Sequence, residues 1–278
     1  MSDAGAAGPA GAGPAISIHG LVHRFATRSG PIDVLAGLDV EVERAELVCL
    51  LGPSGCGKST LLRIVGGLLE PSEGTVRVHG LAPAAARAAK HFGLVPQTPA
   101  LLPWRSVRQN VSLLQRVNRR GAVGVEAPAA LPAEVNDLIE AVGLGDFANA
   151  LPAALSGGMQ QRVSLARAFA LTAPVKLMDE PFSALDELTR SDMQLLLLRL
   201  WALHRTTVLF VTHSVPEAVF LADRVVVLSS RPARIATVHR VSLGRPRDRD
   251  LVDSEAFAYE VREVRAALRI AAGRRVSP

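Results

Sequence analysis

The chain is poor in cysteine and lysine and has no long apolar run, and each shortage excludes something. Its two cysteines, Cys49 and Cys56, cannot build a disulfide framework, and their spacing is not that of a zinc site. No uninterrupted apolar stretch approaches the ~18 residues needed to cross a bilayer; the most apolar helix-like segment, Met193 to Leu203, is broken by Arg199. The first fifteen residues are mostly Ala, Gly and Pro, without the basic start and apolar block of a secretory signal, so they predict a disordered leader over 1–15. These absences exclude a membrane-spanning protein, a small secreted scaffold and a structural zinc module. The expectation is a soluble cytoplasmic protein. Lysine occurs only at Lys58, Lys90 and Lys176 among 31 basic residues, so a lysine inside a motif is not background.

What is present is an ordinary globular composition. The 278 residues are 49% hydrophobic and 21% charged, enough for one large domain or two small ones with a sizeable core. The net charge is +5, and its placement is uneven. From Arg231 onward there are 11 Arg against 6 acidic residues, so residues 1–230 are balanced and the tail holds the whole excess.

Residues Ile16 to about Glu43 alternate around turn residues Arg28 to Pro31, which predicts antiparallel strands. Leu47 to Leu51 is a continuous apolar run, as for a strand buried on both faces. A Gly-rich turn and a helix over Lys58–Leu69 follow, then strands at Val76–Val78 and Phe92–Val95. From about Pro99 to Ala154 apolar residues recur at helical spacing, interrupted by a loop at Gly121–Pro132. The rest alternates: helix Gly157–Leu171, strand Val175–Met178, helix Glu187–His204, strand Thr207–Val211, a short helix, and strand Arg224–Leu228. Strands alternating with helices predict an α/β fold with a mainly parallel sheet covered on both faces. In the tail, Phe257, Val261, Val264 and Leu268 form one stripe of an amphipathic helix over Glu255–Ala272, with Glu260 among the residues on its other faces. That stripe must bury against something: this chain's own core, a partner, or an anionic membrane surface.

Gly52-Pro53-Ser54-Gly55-Cys56-Gly57-Lys58-Ser59 fits G-x-x-x-x-G-K-[ST] and lies between a predicted strand and a predicted helix, the context this motif requires. Glycines let backbone N–H groups converge on phosphate oxygens, and the helix N-terminus adds a favourable dipole. Lys58 would reach the β and γ phosphates, and the Ser59 hydroxyl would ligate Mg²⁺. Cys56 lies among donors that favour a thiolate, or else is a small filler. Lys176 to Glu180 is a strand ending in two acids. Asp179 could serve the Mg²⁺ shell and Glu180 could polarise an attacking water, whereas alone the pair would read as the start of a solvated loop. Leu155 to Arg162 opens a helix with Ser156 as its cap, followed by Gly157 and Gly158, whose bare donors suit an anion.

Together these segments resemble the nucleotide-binding subunit of ATP-binding cassette (ABC) transporters. Leu155–Arg162 is similar to the family signature, Gly52–Thr60 to its Walker A loop, and Met178–Pro181 to the end of its Walker B strand. The resemblance implies a P-loop NTPase (RecA-like) core with a mainly parallel sheet, an N-terminal antiparallel β subdomain and an inserted α-helical subdomain at about 98–160. The ATPase domain would span 16–235, with a basic C-terminal tail at 236–278. Lys58, Gln97, Glu180 and His213 are then the implied catalytic residues, with Gln97 resembling the Q-loop glutamine and His213 the switch histidine. ATP would contact Phe25, Gly52, Pro53, Ser54, Gly55, Cys56, Gly57, Lys58, Ser59, Thr60, Ser156, Gly157 and Gly158. Phe25 is the candidate adenine-stacking aromatic, with core packing as the alternative. Mg²⁺ would be held by Ser59, Gln97 and Asp179. Ser183 to Asp186 resembles the D-loop, and Asp186 also reads as a helix cap. Where the family has Gly-Glu before the Walker A strand, this chain has Ala45-Glu46, which places a turn geometry in question; where it has Asp after the switch histidine, this chain has Ser214.

Leu101 to Arg105 and Ser229 to Pro232 are most similar to the nitrate, sulfonate and taurine importer group. The resemblance implies a head-to-tail homodimer on the cytoplasmic face of the cell inner membrane, peripherally bound to integral membrane permease subunits, with a solute-binding protein completing the system. Trp104 is then either a permease contact or a core residue of the helical block. The alternative is an ABC-type ATPase of nucleic-acid maintenance, without a membrane partner. Only 57 residues separate Gln97 from Leu155, and they show no sustained heptads, so no nucleic acid is expected as a partner.

Overall fold

The computed structural model describes residues 13–28, 30–118 and 135–273. Residues 1–12 of the expected leader and the expected loop Gly121–Pro132 lie outside them. Strands β1 (Ile16–Thr27) and β2 (Gly30–Val42) pair antiparallel, and β4 (Glu73–Val78) adds to the free edge of β1, giving a three-stranded sheet in the order β2-β1-β4. The leader expectation runs too far. Ala15 is buried, and its carbonyl accepts from His79 N at 2.8 Å, so this end of the chain is already tied to β4.

The second sheet has the order β5-β6-β7-β3-β8-β9, built from β5 (Phe92–Val95), β6 (Val175–Asp179), β7 (Thr207–Thr212), β3 (Leu47–Leu51), β8 (Arg224–Leu228) and β9 (Ile235–Arg240). All pairs are parallel except β8–β9. Alternate residues of β3 serve two separate cores. Leu47, Cys49 and Leu51 face a cluster built on helices, while Val48 and Leu50 face a cluster that includes the antiparallel sheet. A strand covered on both faces must be apolar at every position, which is why β3 reads as an unbroken run.

Helix α1 (Lys58–Val65) follows β3 and ends at Gly66, short of the expected Leu69, because Gly67 turns the chain at φ +66°. A short helix α2 (Pro83–Ala88) was not anticipated; its Ala-rich sequence carries little periodicity. The helical block comprises α3 (Val107–Val111), α4 (Leu113–Asn118), α5 (Val135–Ala141) and α6 (Gly157–Ala170), so the expected boundary at 160 falls inside α6. Helices α7 (Glu187–His204) and α8 (Val215–Leu221) complete the cover of the parallel strands.

The domain boundary at 235 also needs correction. Strand β9 extends the core sheet into the expected tail, hidden from pattern reading because an edge strand alternates half-buried and exposed residues. Helix α9 (Glu255–Ala271) matches the predicted amphipathic helix and packs on α8, β8 and β9, with Phe257 against Phe220 at 6.4 Å between ring centroids. The stripe is therefore satisfied within the chain. Contrary to expectation, Glu260 is buried, accepting from Ser242 N at 3.0 Å and meeting His239 Nε2. Much of the tail's charge is likewise used internally. Arg247 donates to the carbonyls of Val219, Phe220 and Ala222 at the C-terminus of α8, and Arg245 binds Asp223 and the Leu221 carbonyl. Burial lowers Arg247 to about 10.

The turn in question before β3 carries real strain. Ala45 sits at φ +57°, held by its N–H to Thr207 Oγ1 at 3.0 Å. A left-handed conformation costs a residue with a Cβ roughly 1–2 kcal/mol, partly offset by the greater freedom of glycine in the unfolded chain. Ala45→Gly is expected to raise stability by about 0.5–1 kcal/mol and the melting temperature by roughly 1–4 °C, read by thermal denaturation. A lower melting temperature would contradict this account.

Candidate functional site

Parallel register brings three strand ends to one level. Leu51 of β3 pairs with Thr212 of β7, and Asp179 of β6 pairs with Val211. Whatever follows these strands must therefore converge, in the crevice outside the carboxyl ends where open α/β sheets bind ligands.

After β3 the chain passes through Gly52–Gly57 into α1. Gly55 and Gly57 adopt φ +73° and +122°, and a Cβ on Gly57 would lie 2.9 Å from Val34 and Leu35 side chains. The loop is thus pressed against β2 and admits no larger residue there. Lys58 is buried and donates from Nζ to the carbonyls of Gly52 at 2.8 Å and Pro53 at 3.0 Å, so its ammonium lies across the loop it follows. Ser54 and Gly55 are exposed on the loop's outer side, and Thr60 is half-buried in the first turn of α1. Cys56 is buried. Desolvation pushes its thiol above the ordinary value, with Lys58 only partly opposing, so Cys56 is a filler and not a thiolate.

Asp179, the last residue of β6, faces the start of α1 from the side, and Glu180 follows it. Ser59 Oγ donates to Asp179 Oδ1 at 2.7 Å. Glu180 N donates to the Val211 carbonyl at 3.0 Å, which carries the β6–β7 pairing one residue past the strand, and Glu180 adopts φ +45°. Its Oε2 meets His213 Nδ1 at 3.0 Å. Ser183 Oγ donates to the Glu180 carbonyl at 3.0 Å, and Gln97 Nε2 donates to Ser183 Oγ at 3.3 Å. Gln97, Ser183, Glu180 and His213 are thus one hydrogen-bonded chain. Asp186 caps α7 through Thr189 N at 3.0 Å, as expected.

The other candidates lie apart. Phe25 is 40% exposed on β1 with its ring edge-to-face against His23, which removes the core-packing alternative. Ser156 accepts from Met159 N at 3.3 Å and leaves Gly157 exposed. Among the described residues, no hydrogen bond joins Ser156–Gly158 to the Gly52–Thr60 loop.

Sequence reasoning missed four polar residues. Glu217 is buried and accepts from Thr212 Oγ1 and Gln194 Nε2, bracing the strand end before His213; burial pushes its carboxyl above the ordinary range. Its signal was the spacing Ser214-x-x-Glu217, and Ser214 does cap α8 through Glu217 N at 3.4 Å. Asn110 is fully buried and holds Leu102 N at 2.9 Å and the Arg105 carbonyl at 2.8 Å. Arg167 of α6 donates to the carbonyls of Pro99 and Ala100 at 2.7 and 2.8 Å. Arg231 donates to the Gly55 carbonyl at 2.7 Å.

A family model described as ABC transporter matches residues 35–183. The chain belongs to the ABC transporter family. It is 47% identical over 218 residues to the aliphatic sulfonates import ATP-binding protein SsuB 1 of Pseudomonas syringae, covering 78% of this chain and 83% of that one. It is 38% identical over 248 residues to the bicarbonate transport ATP-binding protein CmpD of Synechocystis, covering 89% and 86%. Among solved structures it is similar to the dimeric post-hydrolysis state of the ATP-binding cassette MJ0796 bound to ADP and Pi, with a TM-score of 0.69 and 29% identity over 82% of this chain and all of that one. The chain is an ABC-type ATPase. Beside the Gly52–Gly57 loop the Ser59 hydroxyl and the Asp179 carboxylate offer hard oxygens, few in number, which suits Mg²⁺, an ion that keeps water and phosphate oxygens as its other ligands; the Gln97 amide, bonded through Nε2 to Ser183, keeps its oxygen available.

Arg231 tethers the exposed side of this ABC cassette's phosphate loop from outside the motif. Arg231→Met is expected to weaken ATP binding about 3–10-fold, the effect of one lost solvent-exposed hydrogen bond, while shifting the melting temperature by no more than ~2 °C. Fluorescent-nucleotide titration reads the first and thermal denaturation the second. Unchanged affinity would dismiss the tether.

Proposed function

We propose that this cassette energises import of a small solute through a separate integral membrane permease, from the cytoplasmic face of the inner membrane. The solute class is of the nitrate, sulfonate or taurine kind, and a solute-binding protein completes the system. Two relatives support the direction of transport, since their names are those of sulfonate and bicarbonate import and transport subunits. The nucleic-acid alternative has no such support.

The observation that carries the chemistry is the Glu180–His213 contact beside the Ser59–Asp179 pair. Lys58 neutralises the β and γ phosphates from within the loop. Ser59, Asp179 and Gln97 hold Mg²⁺, which when bound offsets charge on the phosphate oxygens. Glu180 accepts the proton of the attacking water, and His213 holds the Glu180 carboxylate in place from Nδ1, leaving Nε2 free to face the γ-phosphate. Gln97, through Ser183, reaches the Glu180 backbone carbonyl, which ties the segment that leads into the helical block to the residue bearing this carboxylate. Phe25, exposed on the antiparallel sheet, takes the adenine ring. The exposed Ser156–Gly158 turn completes the site of a second copy, so each nucleotide is held between two subunits and its hydrolysis releases them.

Glu180→Gln keeps the shape and removes the base. ATP binding is expected to persist while turnover falls by about 100-fold or more, and an ATP-bound dimer should accumulate on size-exclusion chromatography. Lys58→Ala should instead weaken nucleotide binding itself. Near-normal hydrolysis by purified Glu180→Gln would reject Glu180 as the base.

On this reading the permease contact is the Leu101–Arg105 segment. Trp104 is 70% exposed, which removes its reading as a core residue, while Leu101 packs inward. A large exposed aromatic on a segment pinned by Asn110 and Arg167 is a rigid anchor for a partner. Trp104→Ala should leave the ATPase rate and melting temperature of the isolated cassette unchanged, and should cut permease-coupled transport by about 10-fold or more, as for an interface anchor. Full transport by this variant would move the contact elsewhere.

A further inference from the structure

The parallel sheet has a second end, where β6 and β7 begin, and nothing in the proposed mechanism uses it. A cleft of about 270 Å³ opens there, with Arg44, His79, Lys176, His204 and Arg205 among its lining residues and no carboxylate. Among the described residues none of the five forms an ion pair with an acid. Lys176 is 1% exposed, and its Nζ donates to the Leu171 carbonyl at 2.6 Å, leaving two of its three N–H groups for other acceptors. The Phe169 ring fixes the wall: Lys176 Nζ lies 5.4 Å from its centroid, and the His204 ring packs on it at 5.4 Å. Two of its lining residues, His79 and Thr206, carry polar atoms, Nε2 and Oγ1, that are buried behind the wall without a hydrogen-bond partner. Buried polar groups are almost always satisfied, and buried cations are paired. One acceptor with several oxygens could take the remaining Lys176 N–H groups together with the Thr206 hydroxyl and the His79 Nε2–H.

We propose that this cleft binds a small inorganic oxyanion, held by Lys176, His79 and Thr206, with Arg44 and Arg205 exposed at its mouth. The cleft has room for an ion of the size of phosphate, sulfate or bicarbonate. The cluster spans several elements. Arg44 comes from the β2–β3 turn, His79 from just after β4, Lys176 from β6, and His204 and Arg205 from the end of α7, with the His91 ring packed edge-to-face on His79 behind the cleft. Glu43 and Glu46 share the β2–β3 turn, but Glu46 is engaged by Arg224. The electrostatics agree. Burial lowers Lys176 to about 7 and, helped by Arg44 and His91, lowers His79 to about 4, and it lowers His204 and His91 as well. A bound anion favours the protonated form of each group, so binding takes up protons and tightens as pH falls through about 7.

The test uses the full chain carrying Lys58→Ala, which disables the phosphate loop as a competing anion site. Sodium sulfate and sodium phosphate are titrated by calorimetry against sodium chloride at matched ionic strength, near pH 6 and near pH 8.5. The expected result is a saturable oxyanion isotherm near pH 6, weakened about 5-fold or more near pH 8.5. Adding Lys176→Met should abolish it. Adding Arg44→Ser with Arg205→Ser, both at exposed positions, should weaken it about 5-fold or more and keep the fold, so the test survives if Lys176→Met does not fold. Saturability separates this site from the general stabilising action of sulfate. No oxyanion binding beyond chloride near pH 6, or equal affinity in the arginine double variant and its Lys58→Ala parent, would overturn the proposal. Neither result would touch the nucleotide site, which Glu180→Gln tests separately.

Discussion

Backbone pairing among β3, β6 and β7 is the constraint on which the site depends. Parallel strands cannot slide singly without turning every buried side chain to the wrong face. With Leu51, Asp179 and Thr212 locked at one level, the phosphate loop, the two carboxylates and the histidine emerge side by side. The Glu180 N–H extends the lock by one bond to Val211 and sets the strained conformation that turns its carboxylate toward His213. The strain is local and is offset by a core that holds both flanking strands.

Helix α6 gives the helical block its connection to that edge. Its first residue follows the Ser156 cap, and eleven residues beyond Ser156 the Arg167 guanidinium grips the carbonyls that follow Gln97. A displacement of α6 would carry the cap, the glutamine loop and the Trp104 segment together. Asn110 adds rigidity from α3 by gripping the same segment at its far end. Bonds from buried amide and guanidinium groups to main-chain carbonyls are costly to leave unmade, so such a segment moves as a body or not at all.

Much of this was legible in the sequence because two strong signals coincide. The strands β3, β7 and β8 are buried at nearly every residue and stand out as apolar runs, and the phosphate loop sits between one of them and a helix. The α9 stripe was legible for the same reason: four apolar residues on one face need a surface. Other parts were not. Strand β9 is an edge strand with a half-buried face, and its short alternation is indistinguishable from a loop. Asn110, Arg167 and Arg231 act on carbonyls, and every residue but the last in a chain offers a like peptide carbonyl, so their types say nothing about their partners. Glu260 looked solvated because its helix stripe is apolar elsewhere; its partners, His239 and the Ser242 amide, come from a strand and turn that pattern reading had not placed.

The last turn of α9 lies unexpectedly near the loop between β3 and α1. Ser230 N donates to the Ala271 carbonyl at 3.2 Å, and the neighbouring Arg231 reaches the Gly55 carbonyl of the phosphate loop at 2.7 Å. The end of α9 and the phosphate loop are therefore two hydrogen bonds and one peptide unit apart. Ile270, 72% exposed on that turn, becomes a natural attachment point for a spectroscopic label. A spin or fluorescence probe there would sense loop rearrangement without occupying the site.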